Sequence, residues 1–238
     1  MAAGILYLGP SALGSALPAC LMPEATTAVV HGLRHFVVEN TKTARQFLKA
    51  IGYAHPLRDV SFAVLDEHTP ASAVADLLSP VLAGADAGLM SEAGCPGVAD
   101  PGAALVRQAH AAGVRVIPLV GPSAILLALM SSGMNGQRFV FHGYLPIDAE
   151  TRRARIAQLE AQSARNDATQ IFIETPYRNE ALFEALLRTC KPDTLLCVAI
   201  DVTMETETIR TQTVADWKRQ PPSLARRPAV FLLYRGAS

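Results

Sequence analysis

The sequence has little that would organise it by cross-links, metal or membrane. Its four cysteines, Cys20, Cys95, Cys190 and Cys197, form no Cys-x-x-Cys pair to stand with a histidine pair at metal-ligand spacing. Neither a zinc site nor a disulfide framework is expected, and a reducing cytoplasm fits. Aromatic residues make up only 6% of the chain, with one tryptophan, and they do not interleave with basic residues as a single-strand stacking platform requires. Charge of either sign is not in excess, since 21 Lys and Arg balance 21 Asp and Glu. That argues against a polybasic nucleic-acid clamp and leaves room only for a local basic face. Divided at Gly136, the chain carries 7 − 9 = −2 before and 14 − 12 = +2 after, so contacts with a polyanion would lean on the second half. No apolar run approaches the ~18–20 residues of a membrane span. Met1-Ala2-Ala3-Gly4 lacks the basic start of a secretory signal, and the apolar stretch after it stops at Gly9-Pro10.

What is present is core-forming material. Half of the 238 residues are hydrophobic and 18% are charged, a balance that excludes disorder. The length suits two domains, with the boundary expected near Met134 to Gln137, dividing the chain into 1–134 and 135–238. Short apolar runs read as buried strands: Ile5 to Leu8, Thr27 to Val30, Phe36 to Val38, Phe62 to Leu65, Ala87 to Met90 and Val114 to Ile117. Thr43 to Ala50 and Ala71 to Leu82 read as helices. Asp100-Pro101-Gly102 opens another, with Asp100 as N-cap and Pro101 in the first turn. The alternation predicts a mainly parallel α/β sheet. A further helix is expected from Ser123 through Met130. The second half repeats the theme, with strands at Phe139 to His142, Gln170 to Ile173, Leu195 to Ala199 and Val230 to Tyr234, separated by two helical stretches.

Three loops carry the chemical interest. Gly9-Pro10-Ser11-Ala12-Leu13-Gly14 follows the first strand but satisfies neither the dinucleotide fingerprint nor the P-loop. The segment from Ser91 to Gly102 leaves the carboxyl end of a strand, where α/β sheets place ligands, and its small residues let a ligand approach the backbone. Pro118 to Ala124 is a second small-residue loop between a strand and a helix.

Ser-Glu-Ala-Gly-x-Pro-x-x-x-Asp-Pro-Gly at 91–102, followed by Pro-Leu-x-Gly-Pro-Ser at 118–123, resembles the tetrapyrrole methylase superfamily of S-adenosylmethionine-dependent methyltransferases. Within it the likeness is to the branch that 2′-O-methylates a cytidine ribose of small-subunit ribosomal RNA. The likeness runs in order along nearly the whole chain, through Leu6-Tyr7 to Gly14, Glu39 to Lys42, Phe141 to Pro146 and Ile171 to Arg178.

The resemblance implies two α/β domains with a cofactor cleft between them, usually in a homodimer. It implies S-adenosylmethionine contacts from Leu13, Ser91, Glu92, Gly94, Cys95, Ser123, Ala124, Ile173, Pro228 and Ala229. Glu39, Asn40, Lys42, Glu174 and Arg178 are the candidate acceptor-side residues, with the carboxylates beside the acceptor and Lys42 and Arg178 on phosphate. No residue is assigned as catalytic base. Arg152, Arg153 and Arg155 read as a solvated helix face offset by Asp148, Glu150 and Glu160, with contact to RNA as the alternative.

The chain departs from the ribosomal RNA branch at Ala199-Ile200-Asp201-Val202-Thr203-Met204, where that branch has Ala-Arg-Glu-Leu-Thr-Lys. It departs again at Arg226-Arg227-Pro228, in place of Lys-Gly-Glu, and at Asn40-Thr41-Lys42, in place of Asp-Thr-Arg. By the resemblance the expected acceptor is ribosomal RNA on the small subunit, and because the departures fall at substrate-facing positions a tetrapyrrole-like or other small molecule is the alternative. A degenerate homologue that binds the cofactor and acts as an interaction protein is the third reading.

Overall fold

A computed structural model describes residues 2–14 and 21–236. Met1 and Cys20 lie outside the described residues. The chain divides into two compact units, Met1–Ser123 and Ala124–Ser238.

The first unit is built on a five-stranded parallel sheet of β1 (Ile5–Gly9), β2 (His35–Val38), β3 (Ser61–Val64), β4 (Ala87–Met90) and β5 (Arg115–Pro118), in the order β3-β2-β4-β1-β5. Its main helices are α1 (Glu24–Gly32), α2 (Thr41–Ala50) and α5 (Gly102–Ala111). The crossovers from β1 to β2 and from β2 to β3 run one way along the sheet, and those from β3 to β4 and from β4 to β5 run the other. Because such crossovers are right-handed, the two sets fall on opposite faces. The cores show this division. Val30, Leu33, Ala44, Phe47 and Leu48 of α1 and α2, with Leu33 capping α1, pack under Phe36, Val38 and Met90. Val74, Leu78, Val81, Leu105 and Ala109 pack under Leu6, Val37 and Leu89 on the other face.

Thr27 to Val30, expected as a strand, is part of α1. Its β-branched residues imitate a strand, but Pro23 and Glu24 start a helix and the buried Thr26 and Val30 stand four residues apart on one face. The expected helix from Ala71 to Leu82 is broken into α3 (Ala71–Val74), a 3₁₀ turn and α4 (Ser79–Leu82). Pro80 has no N–H to donate into a continuous helix, and it takes the first turn of a new one instead.

The second unit contains α6 (Ala124–Ser132), β6 (Phe139–Tyr144), α7 (Ala149–Asn166), β7 (Thr169–Ile173), α8 (Asn179–Thr189), β8 (Leu195–Ile200), β9 (Thr208–Thr213), α9 (Val214–Trp217) and β10 (Ala229–Tyr234). Its sheet is mixed, in the order β6-β7-β10-β8-β9, with β10 antiparallel to both β7 and β8. The carboxyl ends of β6, β7 and β8 therefore share one edge with the start of β10. Helices α7, α8 and α9 cover one face through Ile156, Leu159, Leu182, Leu186 and Trp217. The Trp217 indole N–H donates to the Leu196 carbonyl at 2.7 Å, which satisfies the ring's one donor inside the core.

The division falls before α6, earlier than the boundary expected at 134/135. Helix α6 packs against β9 and β10, and Thr211 donates to the Ser132 carbonyl at 2.7 Å. The loop after Ser132 reads as a linker in sequence because it is small and polar, yet the helix before it belongs to the second core.

Candidate functional site

In the first unit, β1 and β4 are neighbours whose onward connections leave in opposite directions and on opposite faces. The crevice beyond the carboxyl ends of such a pair is where open α/β sheets bind ligands. The loops after β1 and β4 meet there. Ser11 N–H donates to Gly94 O at 2.9 Å and Gly94 N–H returns to Ser11 O at 3.2 Å. Ser11 Oγ donates to Ser91 O at 2.8 Å, and Ser91 Oγ lies 3.2 Å from both Ala93 O and Gly94 O. The loop after β5 joins them: Leu119 N–H donates to Leu8 O at 3.0 Å, Thr26 Oγ1 to Val120 O at 2.8 Å, and Cys95 Sγ approaches Pro122 O at 3.5 Å.

Gly94 has φ +72°, and a Cβ there would come within 3.3 Å of Leu13 Cδ2 and 3.6 Å of Pro122 O. A side chain at 94 would occupy the space that the loop leaves beside Leu13, so the backbone stays bare for close approach. At Gly121 a Cβ would overlap Pro10 at 2.3 Å, which fixes the first and third loops against each other. A bare backbone that a Cβ would crowd leaves room for close approach of a cofactor at Gly94. Leu13, Ser91, Glu92, Gly94, Cys95 and Ser123 all lie on these loops. Partial burial raises the Cys95 thiol above its ordinary range, so it stays neutral.

Asp100 does more than the expected N-cap. Helix α5 starts at Gly102, and the Asp100 carboxylate accepts from Gly97 N–H and Gly102 N–H, each at 2.7 Å, which ties off the loop itself.

The acceptor-side candidates of the first unit lie after β2. Glu39 Oε1 accepts from Glu92 N–H at 3.0 Å, and Thr43 Oγ1 lies 3.5 Å from Glu92 Oε1. Burial raises the Glu39 carboxyl above its ordinary value against the lowering by the Glu92 N–H, and Asp100 and Glu92 push it further up. Asp100 is raised as well, by burial, against the two N–H groups it accepts. A carboxylate held up in this way is better matched to taking a proton near neutral pH. Asn40 is occupied as the N-cap of α2, accepting from Lys42 N–H at 2.9 Å, while the Lys42 side chain is exposed.

In the second unit, Ala124 opens α6, Ile173 ends β7, and Ala229 starts β10. Pro228 O accepts from Asp201 N–H at 3.0 Å. Glu174 follows β7 with its side chain fully buried, and Oε1 accepts from Thr175 N–H at 2.7 Å and from Arg178 Nη2 at 2.6 Å. Arg178 is thus neutralised by Glu174 and is not a bare cation as its sequence position suggests. Sequence reasoning missed Asn179, whose Nδ2 donates to Arg227 O at 2.6 Å, and the Asp201–Arg227 ion pair. Their partners are 48 and 26 residues away, beyond any local spacing signal.

The arginines of α7 divide their roles. Arg152 and Arg153 line a groove of about 490 Å³ with Arg188, Glu150 and Glu184. Arg155 instead reaches Gln158 and His142 Nδ1, and His142 Nε2 pairs with Gln170 at 2.7 Å. Burial and the Arg155 charge lower the His142 pKa, so the ring is neutral. Glu160, expected as part of a solvated face, is buried and accepts from Lys191 N–H at 2.8 Å. Among the described residues, no cluster of His, Cys, Asp or Glu is disposed to hold a metal ion, and no helix is long and apolar enough to cross a membrane.

The sequence profile of the family described as Tetrapyrrole (Corrin/Porphyrin) Methylases matches residues 24–217. The chain is 34% identical over 182 residues to a protein of Xylella fastidiosa named Ribosomal RNA small subunit methyltransferase I, covering 76% of this chain and 63% of that protein. It is 29% identical over 239 residues to the protein of the same name from Pseudomonas aeruginosa, covering 98% of this chain and 79% of the relative. Among solved structures, the methyltransferase CobJ matches with TM-score 0.65 at 21% identity over 98% of this chain and 94% of the other. A uroporphyrin-III C-methyltransferase from Thermus thermophilus, complexed with S-adenosylhomocysteine, matches with TM-score 0.60 at 15% identity over 98% of each chain. At these identities the structural matches speak for the fold.

Proposed function

Because the chain belongs to the tetrapyrrole methylase family of S-adenosylmethionine-dependent methyltransferases, we propose that its acceptor is a ribose 2′-hydroxyl of small-subunit ribosomal RNA. The observation that carries the cofactor side is the Gly94 cradle, where the loops after β1, β4 and β5 are bonded together around a bare backbone. The acceptor side rests on the relatives' shared name and on the ordered motifs from Glu39 to Arg178.

The cofactor supplies a sulfonium methyl group whose leaving sulfur departs neutral. In the proposed arrangement, the Ser91 to Cys95 loop, Leu13, Ser123 and Ala124 hold it, together with Ile173, Pro228 and Ala229. What remains for the protein is orientation, a contribution that can reach about 7–11 kcal/mol. A hydroxyl acceptor also has a proton to lose, and the partly buried Glu39 carboxyl, held against the loop after β4 by the Glu92 N–H and raised by burial, is the proposed group to receive it, since the likewise raised Asp100 is committed to the Gly97 and Gly102 N–H groups. Glu39, Asn40, Lys42, Glu174 and Arg178 form the acceptor side of this reading.

A cytoplasmic homodimer completes the proposal. Met130 of α6, Tyr144 at the end of β6 and Ile147 beyond it are 80%, 55% and 69% exposed, apolar side chains that a second copy of the chain could cover.

The test is transfer of labelled methyl from S-adenosylmethionine to small ribosomal subunits and, in parallel, to small-molecule extract, both from cells lacking the protein. Label recovered as a 2′-O-methyl nucleotide is the expected result. Label confined to the extract would replace RNA by a small-molecule acceptor, and label in neither would leave a cofactor-binding interaction protein.

A further inference from the structure

At the edge of the second sheet where β7 ends, the segment from Glu174 to Asn179 holds buried polar atoms with no hydrogen-bond partner: Glu174 Oε2, Arg178 Nε and Asn179 Oδ1. Glu174 is 5% exposed and Asn179 is 0% exposed. Buried polar groups are nearly always bonded in native proteins, so such a concentration calls for a missing partner. Amide orientation does not explain it, because Asn179 Nδ2 is committed to Arg227 O and leaves Oδ1 as the spare atom.

The spare atoms of the ion pair have a definite polarity. Glu174 Oε1 and Arg178 Nη2 bond each other, which leaves one acceptor on the carboxylate carbon and one donor on the guanidinium carbon. A single group that satisfied both would present a donor beside an acceptor. That is the amino edge of cytosine, N4–H beside N3, and equally that of adenine, N6–H beside N1. On their Watson–Crick edges uracil and guanine present the reverse, a carbonyl oxygen beside a ring N–H, and would set oxygen against carboxylate and N–H against guanidinium. Single-stranded RNA is read on such edges once a base is splayed out. Asn179 Oδ1 adds an acceptor in the same segment, and an exocyclic amine carries a second N–H.

We propose that Glu174 and Arg178 form a base-reading pair for the amino edge of a nucleobase in the acceptor RNA, selecting cytosine or adenine over uracil and guanine. This rests on the reading of RNA as the acceptor. The adenine of the cofactor presents the same edge, so the test separates the two sources.

Binding of short cytidine, adenosine and uridine homopolymers to the full chain, saturated with S-adenosylhomocysteine, is measured by fluorescence anisotropy. The cytidine and adenosine polymers are expected to bind about tenfold or more tighter than the uridine polymer. In Glu174→Gln and Arg178→Lys the three affinities should converge while S-adenosylhomocysteine affinity is kept. Equal affinities in the unmodified protein, or no binding of any polymer, would overturn the proposal, and neither outcome depends on the variants folding. Loss of S-adenosylhomocysteine affinity in the variants with the base preference intact would assign the pair to the cofactor's adenine and overturn it as an acceptor site. A preference for cytidine in a protein that transfers no methyl to small subunits would sink the ribosomal function and leave the base-reading pair standing.

Discussion

Arg227 Nε donates to Asp201 Oδ2 at 2.7 Å, joining two of the segments in which this chain departs from the ribosomal RNA branch. Thr206 Oγ1 donates to the same Asp201 oxygen, and Arg227 Nη2 donates to Thr206 O. One departure therefore partners the other, and the acid of the first segment is neutralised by the base of the second. The pair stands at a locally strained backbone, since Asp201 and Arg226, the neighbour of Arg227, adopt φ of 51° and 54°.

Arg227→Ala should accordingly destabilise the second unit. Asp201 would stay buried with only the Thr206 hydroxyl on its carboxylate, and breaking a buried pair on one side costs about 3 kcal/mol, less where one partner is partly solvated as Arg227 is. The emission of Trp217, the one tryptophan, reports this in a urea titration because the ring lies in the core of the same unit. Adding Asp201→Asn should recover part of the loss. A midpoint unchanged by Arg227→Ala would show the pair to be energetically idle.

Gly94→Ala separates fold from cofactor at the loop. Its φ of +72° costs a residue with a Cβ about 1–2 kcal/mol, so the thermal transition should fall by a modest step and stay cooperative. S-adenosylhomocysteine affinity, measured by calorimetry, should fall by about tenfold or more, since the new methyl sits against Leu13 and Pro122 where close approach is needed. Undiminished affinity would remove this loop from the site.

The raised carboxyl of Glu39 sets a pH dependence. Its folded-state pKa lies above the ordinary 4.5, so the folded form holds the proton more tightly than the unfolded chain. Stability from this group is then greatest below about 4.5 and declines as pH rises through the folded value, where the buried charge forms. Glu39→Gln keeps an oxygen for the Glu92 N–H and removes the charge. It should be more stable than the parent at pH ~7.5 by an amount that shrinks below pH ~4.5. Paired urea titrations at the two pH values measure this, and an advantage that grows on acidification would reverse the assignment.

Met130→Glu tests the homodimer. The side chain is exposed in the single chain, so the substitution leaves the core of the second unit alone and should not shift its thermal transition. Light scattering should give a dimer mass for the parent and a lower one for the variant. A variant that keeps the parent's mass would exclude α6 from the contact.

Much of the first sheet is legible in the sequence because its inner strands β2 and β4 are buried on both faces and read as unbroken apolar runs, such as Phe36 to Val38. The same rule misleads at Thr27 to Val30, where a helix carries strand-like residues. It is silent at β9, whose Thr-Ile-Arg-Thr-Gln-Thr is polar because the strand lies at a sheet edge. The small-residue loops mark themselves, since so many glycines and prolines in one place have few structural reasons to be there. Asp100 was recognisable as a cap but not as the clamp across Gly97 and Gly102. Asn179 and Arg227 were invisible, because what distinguishes them is the buried company they keep and not their neighbours in the chain.

The reciprocal bonds between Ser11 and Gly94 bear on when the first unit gives up its conformational freedom. The loops after β1 and β4 are tied to each other by the paired backbone bonds and by the Ser11 hydroxyl on Ser91 O, so they are ordered as the sheet closes, before any ligand arrives. Their entropy is surrendered once, during folding, and a molecule that settles on them forfeits mainly its own motion. Affinity at such a preorganised surface depends on the fit of the entering molecule, and side-chain changes on the rim should tune it without reshaping the frame beneath.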